Sequence, residues 1–144
     1  KSGITANFVQ DNQSLSNTGV LRGLHFQTPP FDQGKLVRVI TGAVLDVAVD
    51  IRKNSSTYGE HVTIELTEEN KTMFYIPPGF AHGFLTLKDN TIFSYKCTNV
   101  YNKASEGTVF WNDTEININW NIVNPILSEK DLVGTIFKKF NSPF

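Results

Sequence analysis

Hydrophobic and polar residues alternate along several short stretches of this chain. In residues 45–51, leucine, valine and isoleucine are separated by aspartate or alanine, and the same period of two runs over residues 62–66 and 93–97. Such alternation is typical of β-strands whose two faces meet different surroundings. The pattern therefore predicts strands at these three places.

Turn-forming residues bound each of these runs. They lie at residues 41–42, 53–56, 77–79, 88–90 and 102–107. Many short strands separated by turns predict an antiparallel sandwich or barrel. Helix is scarce, and the best candidate is a short turn after Ser128, an N-cap type of residue followed by Asp131. We expect one all-β domain over residues 1–144, with residues 138–144 forming a tail.

Composition narrows the function classes. The chain has 144 residues and a net charge of −1, so we expect no basic surface for nucleic acid or an anionic membrane. No apolar run approaches the length that spans a bilayer, and no secretory signal pattern follows Lys1, where the chain opens. The single cysteine, Cys97, excludes an internal disulfide and permits a reducing compartment. The expected location is the cytoplasm.

Candidate chemistry is concentrated in two glycine-containing segments that carry His25 and His82. Arg22 lies in the first segment, and Lys35 begins the next predicted strand. Positively charged and titratable residues within hydrophobic runs predict a cavity that binds an anionic ligand and contains a base. In a regular strand Arg22 and His25 point to opposite faces, but Gly23 can bend the strand and undo that rule.

A metal site is one alternative for the histidines. The spacing of Pro77, Gly79 and His82 resembles half of the metal-binding signature of cupin barrels. The other half is incomplete, because only Gln27 or Asp32 is available to join the two histidines as a ligand. Catalytic zinc or iron usually takes three strong ligands. We therefore expect no metal, with a metal-dependent cupin enzyme such as a dioxygenase as the alternative. The third histidine, His61, lies on the polar face of its strand and is expected to meet solvent.

Three further residues have both a structural and a chemical interpretation. His25 is either a hydrogen-bonded core histidine or a base. Tyr95 shares a strand face with Phe93 and Cys97, so it is either a core tyrosine or a proton donor inside the barrel. Asp131 either caps a helical turn or orients a histidine base. Cys97 itself is expected to be a small core residue.

Several common enzyme motifs do not occur in the sequence. There is no Gly-x-Ser-x-Gly elbow, no P-loop and no dinucleotide-binding glycine pattern. Their absence argues against an α/β-hydrolase-type esterase, a P-loop NTPase and a Rossmann dehydrogenase.

Eight sequence blocks, in order from about Asn7 to Asp131, resemble those of the dTDP-4-dehydrorhamnose 3,5-epimerases. They are Phe8-Val-Gln-Asp-Asn12, Gly19-Val-Leu-Arg-Gly-Leu-His-Phe-Gln27, Gln33-Gly-Lys-Leu-Val-Arg38, Asp46-Val-Ala-Val-Asp-Ile-Arg52, Ile76-Pro-Pro-Gly-Phe-Ala-His-Gly-Phe-Leu-Thr-Leu87, Tyr95-Lys-Cys-Thr98, Trp111-Asn-Asp113 and Leu127-Ser-Glu-Lys-Asp131. The blocks cover nearly the whole chain.

The resemblance implies a cupin-type jelly roll, a β-barrel with little helix, that uses neither metal nor cofactor. It implies inversion of carbons 3 and 5 of a dTDP-linked 4-keto-6-deoxyhexose. The residues that match the family's catalytic positions are His25 as general base, Asp131 as its carboxylate partner, Tyr95 as proton donor and Lys35 close to the sugar.

The resemblance also implies a substrate-binding set and a homodimer. The matching positions are Gln10, Asp11, Asn12, Arg22, His82, Tyr101, Glu106 and Lys130, with Tyr101 stacking on thymine. Members of the family usually carry further residues before the block at Phe8, including an arginine and a glutamate that bind substrate. A single-centre epimerase and a non-catalytic nucleotide-sugar-binding protein are the remaining alternatives.

Overall fold

The computed structural model describes residues 3–144, which form nine strands and three 3-10 helices. The strands are β1 (Gln10–Ser16), β2 (Leu21–Gln27), β3 (Lys35–Thr41), β4 (Ala43–Asp50), β5 (His61–Thr67), β6 (Phe74–Ile76), β7 (Phe80–Thr86), β8 (Thr91–Cys97) and β9 (Glu106–Thr108). The 3-10 helices are Lys103–Ser105, Asp131–Val133 and Phe137–Lys139. The predicted strands coincide with β4, β5 and β8, and the helical turn after Ser128 is also present.

Two antiparallel sheets pack against each other. One has the strand order β1-β8-β3-β6 and the other has the order β5-β4-β7-β2-β9. Neighbouring strands in space are mostly distant in sequence, as they are in a jelly roll. The all-β, cupin-type jelly-roll prediction is confirmed. No helix among residues 3–144 is long and apolar enough to cross a membrane.

The five-stranded sheet is covered on both faces. Between the sheets lies a cluster that includes Val37 and Phe93 from one sheet and Val44 and Phe84 from the other. The opposite face of the five-stranded sheet packs against the segment after β9, including Trp120. Both faces of β4 are therefore buried. Its two edges are paired as well, one with β5 and the other with β7.

The C-terminal residues pack against this second cluster. The rings of Phe140 and Phe144 lie edge-on to Phe26, with ring centroids 5.4 and 6.3 Å apart. The expectation that residues 138–144 form a loose tail is therefore wrong. Burial of the aromatic rings stabilises this end of the chain, although two lysines, Lys138 and Lys139, precede Phe140 in the sequence.

Candidate active site

A cavity of about 580 Å³ opens between the sheets and is lined by side chains from both. All but one of the predicted site residues lie along it. They are Gln10, Asn12, Arg22, His25, Lys35, His82, Tyr95, Tyr101, Glu106, Lys130 and Asp131. His25 and Asp131, which are 106 positions apart in the chain, thus meet in one place.

Asp11 is the exception among the predicted substrate-binding residues. It points out of β1 and forms an exposed salt bridge with Lys96, at 2.8 Å between Asp11 Oδ1 and Lys96 Nζ. Side chains alternate between the faces of a strand, so Gln10 and Asn12 face the cavity while the residue between them does not. The prediction treated these three residues as one block, whereas the structure brings only Gln10 and Asn12 to the cavity.

His25 and Asp131 form a close pair. His25 Nε2 lies 2.6 Å from Asp131 Oδ1, and the aspartate side chain is only 1% exposed. Two further donors hold the carboxylate: the Gly23 N–H at 3.2 Å from Oδ1 and the Ser128 hydroxyl at 2.6 Å from Oδ2. Burial opposes ionisation of Asp131, but hydrogen bonds from His25 and Ser128 outweigh it and hold its pKa below the usual value. The chemical interpretation of both residues thus has a geometric basis.

Gly23 brings Arg22 and His25 to the same cavity. The pairing of β2 with β7 shifts register between these two residues, and Gly23 has a φ of +128°. A Cβ atom at this position would lie 2.5 Å from the Gly83 Cα, closer than real contacts allow. Glycine is therefore required, and the irregular strand turns two side chains that would face apart toward one ligand.

His82 pairs with an aspartate that the sequence analysis did not single out. His82 Nε2 lies 2.9 and 3.0 Å from the two oxygens of Asp46, which is completely buried. Burial lowers the pKa of His82 and raises the pKa of Asp46, so it favours the uncharged form of each. The only signal for Asp46 in the sequence was an aspartate inside an apolar strand. Its partner His82 lies on β7 directly opposite Ala48, two residues after Asp46 on the same face of β4.

Lys35 and Tyr95 complete the interior of the cavity. They enter from β3 and β8 of the four-stranded sheet, whereas the two histidines enter from the five-stranded sheet. Burial lowers the pKa of Lys35 and raises that of Tyr95. Tyr95 therefore stays protonated at neutral pH, with its hydroxyl proton available for donation. Cys97, on the same strand face, is buried as expected.

The outer end of the cavity carries a chain of polar contacts. The Tyr101 hydroxyl donates to Glu106 Oε2 at 3.1 Å, and Lys130 Nζ donates to Glu106 Oε1 at 2.8 Å. Burial opposes ionisation of Glu106, but its contacts with Lys130 keep its pKa below the usual value. Arg22 also lines the cavity and forms no salt bridge with any residue in the described part of the chain. Its guanidinium can therefore meet an anionic ligand.

A metal site finds no support in the geometry. Within residues 3–144 no three histidine, cysteine, aspartate or glutamate side chains are grouped so that they could hold a metal ion. Each cavity histidine engages one aspartate instead. Asp32 lies outside the cavity, and the Gln27 amide is used in hydrogen bonds to the backbone. His61 does not line the cavity either.

Comparison with known proteins identifies the family. The family model for dTDP-4-dehydrorhamnose 3,5-epimerase matches residues 1–139. The dTDP-4-dehydrorhamnose 3,5-epimerase of Shigella flexneri is 55% identical over 130 residues, which cover 90% of this chain and 72% of that relative.

Solved structures agree with this match. The dTDP-4-dehydrorhamnose 3,5-epimerase from Elizabethkingia anophelis NUHP1 superposes with a TM-score of 0.90 at 54% identity, covering 92% of this chain and 74% of that one. The dTDP-6-deoxy-D-glucose-3,5-epimerase from Legionella pneumophila Philadelphia 1, in complex with dTDP-4-keto-L-rhamnose, gives a TM-score of 0.92 at 47% identity, covering 96% and 74%. The chain belongs to the dTDP-4-dehydrorhamnose 3,5-epimerase family.

Proposed function

We propose that this chain inverts carbons 3 and 5 of dTDP-4-keto-6-deoxy-D-glucose and so forms dTDP-4-keto-L-rhamnose, in dTDP-L-rhamnose or related deoxysugar synthesis. One observation carries the proposal: a single cavity contains the His25–Asp131 pair, the Tyr95 hydroxyl and the Lys35 amine. These are the groups that proton removal and return next to a ketone require.

The 4-ketone makes the neighbouring C–H bonds acidic, because the carbanion formed by proton loss delocalises onto oxygen as an enolate. Inversion requires that a proton leave from one face of the sugar and another return to the opposite face. His25 is suited to remove the proton, because the neutral imidazole of histidine is the side-chain base most often used in such catalysis. Asp131 stabilises the imidazolium that forms and orients the ring.

Tyr95 is the proposed donor of the returning proton. It enters the cavity from the four-stranded sheet, whereas His25 enters from the five-stranded sheet. A sugar ring held between the sheets can therefore meet the base on one side and the acid on the other. This arrangement is the geometric requirement for inversion rather than exchange with retention.

Lys35 and His82 are proposed to stabilise the enolate oxygen. Both line the cavity, and Asp46 fixes the His82 ring through contacts at 2.9 and 3.0 Å. Donors already placed where negative charge develops often make the largest single contribution to such catalysis. No organic or metal cofactor enters this sequence of steps.

The polar residues at the outer end are proposed to hold the nucleotide. Arg22 and Lys130 suit the pyrophosphate through charge-assisted hydrogen bonds, and Tyr101 offers an aromatic face to the thymine base. Gln10, Asn12 and Glu106 line the same end of the cavity and are proposed as further contacts.

We also propose a cytoplasmic homodimer. The outer face of the four-stranded sheet exposes Leu15 and Ile40, and Leu15 lies directly opposite Ile92 on the neighbouring strand. A second copy of the chain that packs on this sheet would cover these apolar residues. Light scattering would show the dimer mass, and Leu15→Glu would shift it toward the monomer; a monomeric wild type would contradict the proposal.

The decisive experiment is mass spectrometry of dTDP-4-keto-6-deoxyglucose incubated with the protein in heavy water. Deuterium should enter carbons 3 and 5, and His25→Ala should abolish its incorporation. His61→Ala is the matched control. Because His61 lies outside the cavity, this variant should incorporate deuterium at the wild-type rate. Label at carbon 3 alone would indicate a single-centre epimerase. Binding of dTDP without any exchange by folded wild type would indicate a non-catalytic binding protein.

A further inference from the structure

The segment Val100–Asn102 has an unusual set of backbone partners. It lies after the end of β8 and outside every strand, yet three of its backbone groups accept or donate hydrogen bonds to glutamine side chains. Gln27 Nε2 donates to the Val100 carbonyl at 3.1 Å, and Gln27 Oε1 accepts from the Asn102 N–H at 2.7 Å. Gln10 Oε1 accepts from the Tyr101 N–H at 2.8 Å. Two side chains thus hold a loop that no strand pairing holds.

Gln27 uses its whole amide for this purpose. In addition to the two contacts with the loop, its Nε2 donates to the Phe31 carbonyl at 2.6 Å. The residue is only 5% exposed, so water offers little replacement for these bonds. An amide with both donors and its acceptor engaged has one fixed orientation. Gln27 therefore joins the loop that contains Phe31, between β2 and β3, to the loop that carries Tyr101.

The position of Gln27 on β2 links this loop to the rest of the cavity. His25 lies two residues earlier on the same strand, and both side chains line the cavity. On the neighbouring strand β9, the residue opposite Gln27 is Glu106, which accepts the hydrogen bond from the Tyr101 hydroxyl. Tyr101 is thus held on both sides of its backbone by Gln27 and at its hydroxyl by Glu106. The residue is 53% exposed, which leaves its side chain open to a ligand.

We propose that Gln27 is a positioning residue for the nucleotide end of the site, acting through the backbone on either side of Tyr101. The inference rests on the proposed function, because it takes Tyr101 as the aromatic platform for the nucleotide base. A platform held in place before binding loses less conformational freedom when the ligand arrives. Gln27 therefore sets nucleotide affinity, whereas proton transfer at the sugar is left to His25 and its partners.

The test is Gln27→Met, which keeps the length of the side chain and removes all three hydrogen bonds. We expect the Kd for dTDP by calorimetry, and KM for the nucleotide sugar, to rise about tenfold or more, as the loss of one or two net hydrogen bonds implies. The kcat should stay within about threefold of wild type. Glu65→Met is the control, because Glu65 has a side chain of similar length, is exposed on β5 and lies outside the cavity, so both constants should stay unchanged.

A double mutant separates positioning from general damage. If Gln27 acts through Tyr101, Gln27→Met should change the Kd for dTDP less than about twofold when Tyr101 is already alanine. Additive effects in the double mutant, or a fall in kcat as large as the rise in KM, would overturn the inference. Gln27→Asn keeps the amide but shortens the side chain by one methylene, so it retains only part of the three hydrogen bonds. It should give an intermediate Kd and decides the question if the methionine variant does not fold.

Failure of the inference and failure of the proposed function give different results. If wild type does not bind dTDP, the proposed function fails and the inference fails with it. If wild type binds dTDP and Gln27→Met binds it equally well, only the role of Gln27 is refuted.

Discussion

Replacing Asp131 by asparagine removes the negative charge behind His25 and preserves the shape of the site. Asp131 Oδ1 accepts from both His25 and the Gly23 N–H, so the amide oxygen of asparagine can take its place. The amide nitrogen then replaces Oδ2 and faces the Ser128 hydroxyl, which can rotate to accept a hydrogen bond. The variant should therefore fold normally, and its effect on catalysis should report the charge alone.

The expected magnitude follows from the contact that loses its charge. A hydrogen bond to a charged group contributes about 1.5–3 kcal/mol, and about 1.4 kcal/mol corresponds to a tenfold change in rate. Removal of the carboxylate charge should thus slow proton abstraction by His25 by roughly 10- to 150-fold. The KM should change little, because Asp131 acts on the base that removes the proton.

The assay is the initial rate of deuterium incorporation from heavy water, measured at saturating substrate between pH 5 and pH 9. Hydrogen bonds from His25 and Ser128, acting against burial, hold the pKa of Asp131 below its usual value near 3.9. The carboxylate is therefore ionised throughout this range, so wild type and variant differ by one negative charge at every pH measured. Only as pH falls through the lowered pKa should the contribution of the charge disappear.

Two companion variants test the reasoning. Asp131→Ala leaves the buried Gly23 N–H without its acceptor and should lower the free energy of unfolding by about 1–3 kcal/mol. Ser128→Ala removes one donor from the carboxylate and should slow exchange by less than about tenfold. Wild-type exchange by a folded Asp131→Asn protein would refute the view that the carboxylate supports the base.

Three further predictions concern the fold and the acid. Gly23→Ala should lower the free energy of unfolding by more than about 3 kcal/mol in urea titrations, because a Cβ there overlaps the Gly83 backbone. Gly19 also has a positive φ but has space for a Cβ, so Gly19→Ala should lower the free energy of unfolding much less. Tyr95→Phe should reduce formation of inverted product by about 10²-fold or more while sparing proton removal, and equal losses in the exchange and product assays would contradict its role as donor. The side chain of Asp50 is buried, but hydrogen bonds from its neighbours hold its pKa far below the usual value. The ionised carboxylate therefore stabilises the folded state above about pH 4–5, and this stabilisation is lost as pH falls through the lowered pKa. The difference in unfolding free energy between wild type and Asp50→Asn should therefore shrink between pH 6 and pH 3. A constant difference would contradict this role of the Asp50 charge.

Much of the fold and of the site could be predicted from sequence. The alternation over residues 45–51 and 93–97 marks β4 and β8 because side chains on a strand must alternate, whatever the rest of the chain does. The same local rule placed Tyr95 inward beside Phe93. The candidate residues came from blocks whose order and spacing resemble one family, and that family is confirmed. The block likeness ignored the strand period at Asp11, which the structure places outside the cavity.

Other features depended on which surfaces meet. Period two shows that Val47 and Asp46 face opposite sides of β4, but not what covers each side. In the folded protein Val47 meets the segment after β9 and Asp46 meets His82, so both faces are buried. The packing of Phe144 near Phe26 could not be predicted from the sequence either, because the apolar surface that it packs against lies on a distant strand.

The sequence by itself determined the alternating strands, the family and nearly all of the chemistry-bearing residue types. Tertiary structure decided their partnerships: His25 with Asp131, His82 with Asp46, and Gln27 with the backbone beside Tyr101. The physical reason is that periodicity and turn propensity are properties of neighbouring residues, whereas burial and pairing depend on strands that are distant in the chain. Only when the two sheets close does each polar side chain acquire the partner that makes its burial tolerable.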